Sequence, residues 1–301
     1  MAEVVCVGEL LWDSLPEGLF LGGAPFNVAA HLAALGVPTA IATRVGSDRL
    51  GEEAARRAGE AGVDTTLVQR DPTLPTGFVR VEIAAGGHAR YEILAPAAWD
   101  AFSAREEVVG RCFEARMLVF GTLAQRDARS RQAILRLCDL PLIRVLDVNL
   151  RPPHDDLGIV EQSLRRAEVV KCNEEELRRI CGHVGESGDG LETAARRLAQ
   201  RFGCETVCVT RGPHGAAMLR AGTWTEHPGF AVQLADPVGA GDAFLAALLR
   251  ALLDDQPPEV MLERANLLGA FVASRRGAIP VQDAREMERI GARRAADDPL
   301  R

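Results

Sequence analysis

Short apolar runs at Val4–Val7, Thr39–Val45, Met117–Gly121, Ile143–Asp147, Ala167–Lys171 and Thr206–Thr210 alternate with stretches of helical periodicity. Those stretches are Phe26–Leu35, Gly51–Ala61, Ala128–Leu137, Gly158–Arg166 and Leu191–Phe202, where apolar residues recur at three- and four-residue spacing. The alternation dictates βαβ units, because a parallel strand is reached only through a crossover, and a crossover helix buries one sheet face. The chain is therefore expected to be α/β, a doubly wound, mainly parallel sheet between layers of helices. Two segments break the rhythm. Leu11–Leu21 lacks helical periodicity, and Thr76–Ala84 with Ala89–Leu94 reads as a hairpin around Ala85-Gly86-Gly87-His88. With no helix between them, these strands are expected to form a small sheet standing off the main one, as a lid does; an antiparallel extension of the main sheet is the alternative. Gly215–Arg220, Thr223–His227 and Phe230–Leu234 are expected to form a meander. With no low-complexity linker and no internal repeat, residues 1–301 read as one domain with lid segments at about 11–21 and 76–94.

Composition excludes several functions. A net charge of -7 with no basic run argues against a nucleic-acid partner. No apolar stretch approaches the roughly 20 residues that cross a bilayer, and Met-Ala-Glu-Val-Val-Cys-Val-Gly reads as a strand rather than a secretion signal. A cytoplasmic protein is expected. The seven cysteines are scattered with no Cys-x-x-Cys pair, which suits buried, reduced thiols, and the six histidines form no His-x-x-x-His pair. A structural zinc is not expected. Lys171 is the sole lysine and follows no Gly-rich loop, so phosphates would have to be held by backbone amides, arginine and metal.

The most informative stretch is Asp236-Pro-Val-Gly-Ala-Gly-Asp242-Ala-Phe, ahead of an apolar helix at Phe244–Leu253. Gly239 and Gly241 leave backbone N–H groups uncovered at a helix N-terminus, which attracts anions. Asp242 is a carboxylate among those donors. It is either a general base for an incoming hydroxyl or a complement to the helix dipole. Other polar groups also fall at expected strand ends or helix starts. Gly22-Gly23-Ala-Pro-Phe-Asn27 suits the approach of a polyhydroxylated ligand, or is a tight turn with proline in a first helical turn. Asn173 and Glu176 have capping-box spacing, and Glu176 could also order magnesium-bound water. Thr210-Arg211-Gly212-Pro-His-Gly215 is either a plain turn or a phosphate contact with Arg211 as cation. Asp147-Val-Asn149-Leu-Arg151 ends a further strand, on the side where open parallel sheets bind ligands.

Together these motifs resemble the ribokinase-like PfkB family of carbohydrate kinases. The resemblance rests on Gly22–Ala29 with Gly36 and Gly46, on Asp236–Asp242, and on the Asn-x-x-Glu and Thr-x-Gly-x-x-Gly elements between them, and it runs from Val4 to about Pro280. It implies a three-layer sandwich of about nine strands with a β-sheet lid, ATP as donor, Mg2+ as activator and transfer to a sugar hydroxyl. By resemblance Asp242 is the base, and the Gly239, Ala240 and Gly241 amides form the anion hole. Asn173, Glu176, Thr210, Gly212, Gly215, Gly241 and Asn266 lie on the nucleotide side, with Glu176 reaching Mg2+ through water. Asp13, Gly22, Gly23, Asn27, Asn149, Arg151 and Asp242 face the sugar. Relatives also bind K+, for which Asp236 and carbonyls around Ser274–Gly277 would serve, although Pro237 stands where threonine is common. Gly-Gly-Ala-Pro-Phe-Asn and Gly8-Glu9 are most similar to fructokinases, and Asp147-x-Asn149-x-Arg151 is shared with fructokinases and ketodeoxygluconate kinases. Trp99 would wall the sugar pocket or anchor the lid. The expected partner is a small-molecule sugar, with a homodimer forming through the lid. The rival readings are a catalytically silent sugar or nucleotide sensor, and a dinucleotide oxidoreductase; Phe244 at the third glycine position counts against the latter.

Overall fold

The computed structural model describes residues 2–83, 89–186 and 190–293. They fall into two compact units, divided between Leu142 and Ile143, of a mixed α/β fold with a large, mostly parallel sheet and a small separate one. The first unit runs β1 (Val4–Val7), β2 (Leu11–Leu15), β3 (Gly18–Gly22), α1 (Ala24–Ala34), β4 (Thr39–Gly46), α2 (Arg49–Glu60) and β5 (Val68–Asp71). It continues through β6 (Gly77–Ile83), β7 (Ala89–Ile93), α3 (Glu106–Glu114), β8 (Met117–Gly121) and α4 (Ala128–Cys138). Strands β8, β1, β4 and β5 lie side by side and parallel, with Val4 in register with both Met117 and Thr39. All of β1 and nearly all of β8 is buried, which is why these strands read as unbroken apolar runs rather than alternating ones.

The segments that broke the sequence rhythm make the separate sheet, in the order β3-β2-β6-β7, with β2 and β6 parallel and the outer pairs antiparallel. The turn expected at Ala85-Gly86-Gly87-His88 lies outside the described residues. Tryptophans tie this sheet to its unit. Trp12 donates from Nε1 to the Leu50 carbonyl at 3.0 Å. Trp99 is buried against Gly77, with the Arg126 guanidinium 3.9 Å from its ring, while Arg126 pairs with Asp100 at 2.8 Å. Of the two sequence readings of Trp99, the structure supports the anchor.

The second unit runs β9 (Ile143–Asp147), α5 (Leu157–Leu164), β10 (Val169–Asn173), α6 (Glu174–His183), α7 (Leu191–Phe202), β11 (Thr206–Thr210), β12 (Ala216–Arg220), β13 (Thr223–His227), α8 (Ala240–Leu253), α9 (Pro258–Ala273) and α10 (Ala284–Gly291). Its strand order is β13-β12-β11-β10-β9: the last three are parallel, and β12 and β13 turn back antiparallel. The expected third strand of the meander does not form. After an isolated bridge at Phe230 the chain is irregular, because its amides turn to helix ends: Ala231 donates to the Arg293 carbonyl, and Ala235 and Asp236 both donate to that of Ala273. Helix α8 begins at Ala240, earlier than its apolar pattern, since the cap and not the first apolar residue sets the boundary.

Asp48 caps α2 and closes the turn between β4 and β6. Its carboxylate accepts from the Gly51 amide at 2.7 Å, the Thr76 amide at 2.9 Å and the Thr76 hydroxyl at 2.7 Å. Burial pushes its pKa up, but these donors outweigh burial and leave it below the usual carboxylate value. The folded-state pKa is therefore depressed, so the stabilisation is present above the unfolded-state value of about 3.9 and lost as pH falls through the folded one. Asp48→Ala should lower the unfolding free energy by about 1–3 kcal/mol in urea melts at neutral pH, and the gap to wild type should shrink as pH falls from about 5 towards 2.

Candidate active site

The second unit gathers most of the polar positions singled out in the sequence. Asp147 and Lys171 are register partners on β9 and β10, and the lysine side chain crosses to the carboxylate, with Nζ 2.8 and 3.0 Å from its two oxygens. Both side chains are almost fully buried, 8% and 6% exposed. Burial depresses the Lys171 pKa, but the carboxylates of Asp147, Asp242 and Glu176 outweigh it and hold the ammonium charged, with its pKa raised. The chain beyond β9 is tied to the same neighbours. Val148 donates to the Lys171 carbonyl, and Leu150 donates to Glu176 Oε1 at 2.8 Å, while Asn149 between them adopts a left-handed φ of 42°. Arg151 is exposed, and its guanidinium donates to the Leu150 carbonyl.

Asn173 and Glu176 form the capping box their spacing predicts: Asn173 Oδ1 accepts from the Glu176 amide at 2.8 Å, and Glu176 Oε2 accepts from the Asn173 amide at 2.9 Å. Glu176 does more than cap, since its other oxygen fixes Leu150. Its pKa is raised, first by burial and then by Asp147, against the two amides and Lys171. Each carboxylate oxygen already accepts one amide and keeps a further lone pair, which suits a hydrogen bond from metal-bound water. Among the described residues no three His, Cys, Asp or Glu side chains converge as metal ligands.

Thr210 ends β11, half-buried, and Gly212–His214 form one short helical turn before Gly215. Arg211 is not available as the cation the sequence suggested. It is paired with Glu226 at 2.9 Å and donates to the His227 carbonyl, holding the turn to β13. Asn266 is buried in α9, where Nδ2 donates to the Leu262 carbonyl at 2.7 Å, so half of its amide serves its own helix.

The start of α8 is shaped by Gly239. It caps the helix with φ of 79°, and a Cβ there would meet the Ala278 backbone at 2.6 Å, so both conformation and space require glycine. Asp236 holds the opposite side of that approach, accepting from the Val238 amide at 3.0 Å and the Gly277 amide at 3.1 Å. The Ala240 amide faces the Pro237 carbonyl at 3.3 Å, a long bond that an anionic oxygen could replace. Asp242 follows in the first turn, 8% exposed. Beneath this turn lies Lys171, whose Nζ sits 3.3 Å from where a Gly241 Cβ would be.

In the first unit, Asp13 on β2 lies over Gly22 on β3, where any side chain would strike its carboxylate. Gly23 takes φ of 110° against the Glu9 carbonyl, Glu9 accepts from the Ala24 amide, and Asn27 is buried in the first turns of α1. Sequence reasoning left Lys171 without a task and named Asp147 only as the first residue of the Asp147-x-Asn149-x-Arg151 motif, with no role of its own. The signal available was that one lysine stands among 35 Lys and Arg residues, inside a strand.

The chain matches the model of the pfkB family carbohydrate kinases over residues 18–285, and it belongs to that family. It is 28% identical to a fructokinase of Escherichia coli over 307 residues, covering 95% of this chain and 97% of the relative. Its fold is similar to fructokinase with bound ATP from Xylella fastidiosa, with a TM-score of 0.83 and 25% identity over 96% of this chain and 98% of that one. It is also similar to an uncharacterized sugar kinase from Pyrococcus horikoshii in complex with ATP, with a TM-score of 0.80, 26% identity, and 96% and 99% coverage. The chain is thus placed among the carbohydrate kinases, and the dinucleotide oxidoreductase reading falls. Gly239→Ala should lose about 1–2 kcal/mol of stability from the left-handed backbone alone, and more from the Ala278 clash, read in urea melts beside a loss of ADP release.

Proposed function

We propose that this kinase transfers the γ-phosphoryl group of ATP to a hydroxyl of fructose, with Asp242 as general base. The observation that carries the reading is Asp242 itself, a nearly buried carboxylate in the first turn of α8, one residue beyond the Gly239-Ala240-Gly241 amides. In the step, the sugar hydroxyl oxygen attacks the γ-phosphorus, the bond to the β-phosphate bridging oxygen breaks, ADP leaves, and the hydroxyl proton passes to Asp242. The amides and the positive end of α8 stabilise the charge spread over the phosphoryl oxygens, so positioning and electrostatics supply most of the rate. Bound Mg2+ would neutralise the phosphate oxygens, with Glu176 orienting its water. Asp236 and carbonyls around Ser274–Gly277 would hold K+, supported by the grip of Asp236 on the Gly277 amide. Thr210, Gly212, Gly215 and Asn266 are assigned to the nucleotide, and Asp13, Gly22, Gly23, Asn27, Asn149 and Arg151 to the sugar, on the family resemblance. We propose that all 301 residues act as one kinase domain.

Fructose is favoured by the fructokinase relatives and by the Gly22–Asn27 motif. ADP release should be measured with magnesium and ATP across fructose, ketodeoxygluconate, ribose, glucose and adenosine. Turnover is expected on fructose, and Asp242→Asn should keep ATP binding while kcat falls about 10²–10⁴-fold. A comparable kcat in the variant would remove Asp242 from the mechanism, turnover on ketodeoxygluconate instead would reassign the acceptor, and ATP binding without turnover on any sugar would favour a sensor. The small sheet also exposes Leu19 and Phe20 on its outer strand β3, 42% and 43% exposed, which supports a homodimer formed edge to edge. Light scattering should give twice the chain mass, and Phe20→Glu should return it to one.

A further inference from the structure

We propose that Lys171 is a positioning residue of the phosphoryl transfer, its ammonium propping the Gly239–Asp242 turn from below and opposing the negative charge that the reaction brings to it. The inference rests on the kinase reading above. Three observations carry it. The sole lysine of the chain is buried inside strand β10 rather than on the surface, where a long cationic side chain ordinarily belongs. Its Nζ lies 3.3 Å from the Cβ position of Gly241, so the ammonium packs on the face of the turn that any larger residue would fill. Finally, the lysine is held there by both oxygens of Asp147, which directs the charge at one point.

The groups facing this ammonium come from every element around it. Asp147 stands on β9, Glu176 on α6 and Asp242 on α8, with the buried thiol Cys208, the register partner of Lys171, on β11. The carboxylates outnumber the cation, so bringing phosphates to the turn adds negative charge to an already anionic corner. One ammonium beneath the amides opposes that charge without touching the nucleotide. A lysine serving only to neutralise Asp147 would behave differently. A buried ion pair is often replaceable by a neutral pair with no loss of stability, whereas removing one partner leaves a stranded charge.

The test is therefore the double variant Lys171→Met with Asp147→Asn, beside each single change and Asp242→Asn, assayed by thermal melting and by ADP release. Lys171→Met alone should be strongly destabilised. The double variant should melt close to wild type, yet its kcat should fall about 100-fold with KM for ATP changed less than about 3-fold. A double variant that folds and keeps kcat within about 3-fold of wild type would overturn the proposal and leave the pair purely structural. If the double variant does not fold, Asp147→Asn decides, since it leaves the ammonium without the group that aims it: a fall in kcat of about 10-fold or more with KM for ATP changed less than about 3-fold supports the proposal, and any smaller fall in kcat, or one matched by KM, overturns it. Wild-type protein without turnover on any sugar would defeat the kinase reading instead, so the two failures are distinct.

Discussion

A single ammonium buried between two strands sets the terms for the second unit. Desolvating an ion costs several kcal/mol, and Lys171 is tolerable in β10 only because Asp147 meets it with both oxygens and two further carboxylates lie nearby. The pairing demands the register in which Lys171 faces Asp147 across β10 and β9. From that register follow the bond of Val148 to the Lys171 carbonyl and the reach of Leu150 to Glu176. The chain that leaves β9 is thus organised by polar contacts, while the strands themselves are organised by burial.

Against this framework the start of α8 is an exercise in close approach. Gly239 accepts a left-handed conformation and the nearness of Ala278, and Gly241 makes room for the lysine head. These glycines leave amides at the positive end of a buried helix, where an anion is attracted. Asp242 in the same turn is the one group there that repels an anion. Its nearness to Lys171 answers part of that repulsion.

The regular elements were legible because burial writes a period into sequence. β1, β8, β9 and β11 match their apolar runs residue for residue, and α7 coincides with its periodic stretch. The small sheet was legible as an interruption of the rhythm at Leu11–Leu21 and Thr76–Leu94, although the parallel pairing of β2 with β6 was not, since it joins segments far apart in sequence. Phe230–Leu234 misled because an apolar, strand-like run can send its amides to helix ends instead of a neighbouring strand. Arg211 misled for a related reason: a cation beside a Gly-rich turn looks available until Glu226 is brought across from β13.

By itself the sequence determined the α/β class, the order of most strands and helices, the Asn173–Glu176 cap and the Gly239–Asp242 turn. Each of these is set by residues near one another in the chain, through periodicity, capping or the conformational freedom of glycine. The tertiary structure alone decided which polar groups meet. Lys171 finds Asp147 from 24 residues away and Gly241 from still farther. Arg126 lies over Trp99, and Glu176 holds Leu150, contacts that no local pattern records. Burial gives each of these encounters its consequence, because a charge or an amide removed from water must find a partner wherever the fold brings one.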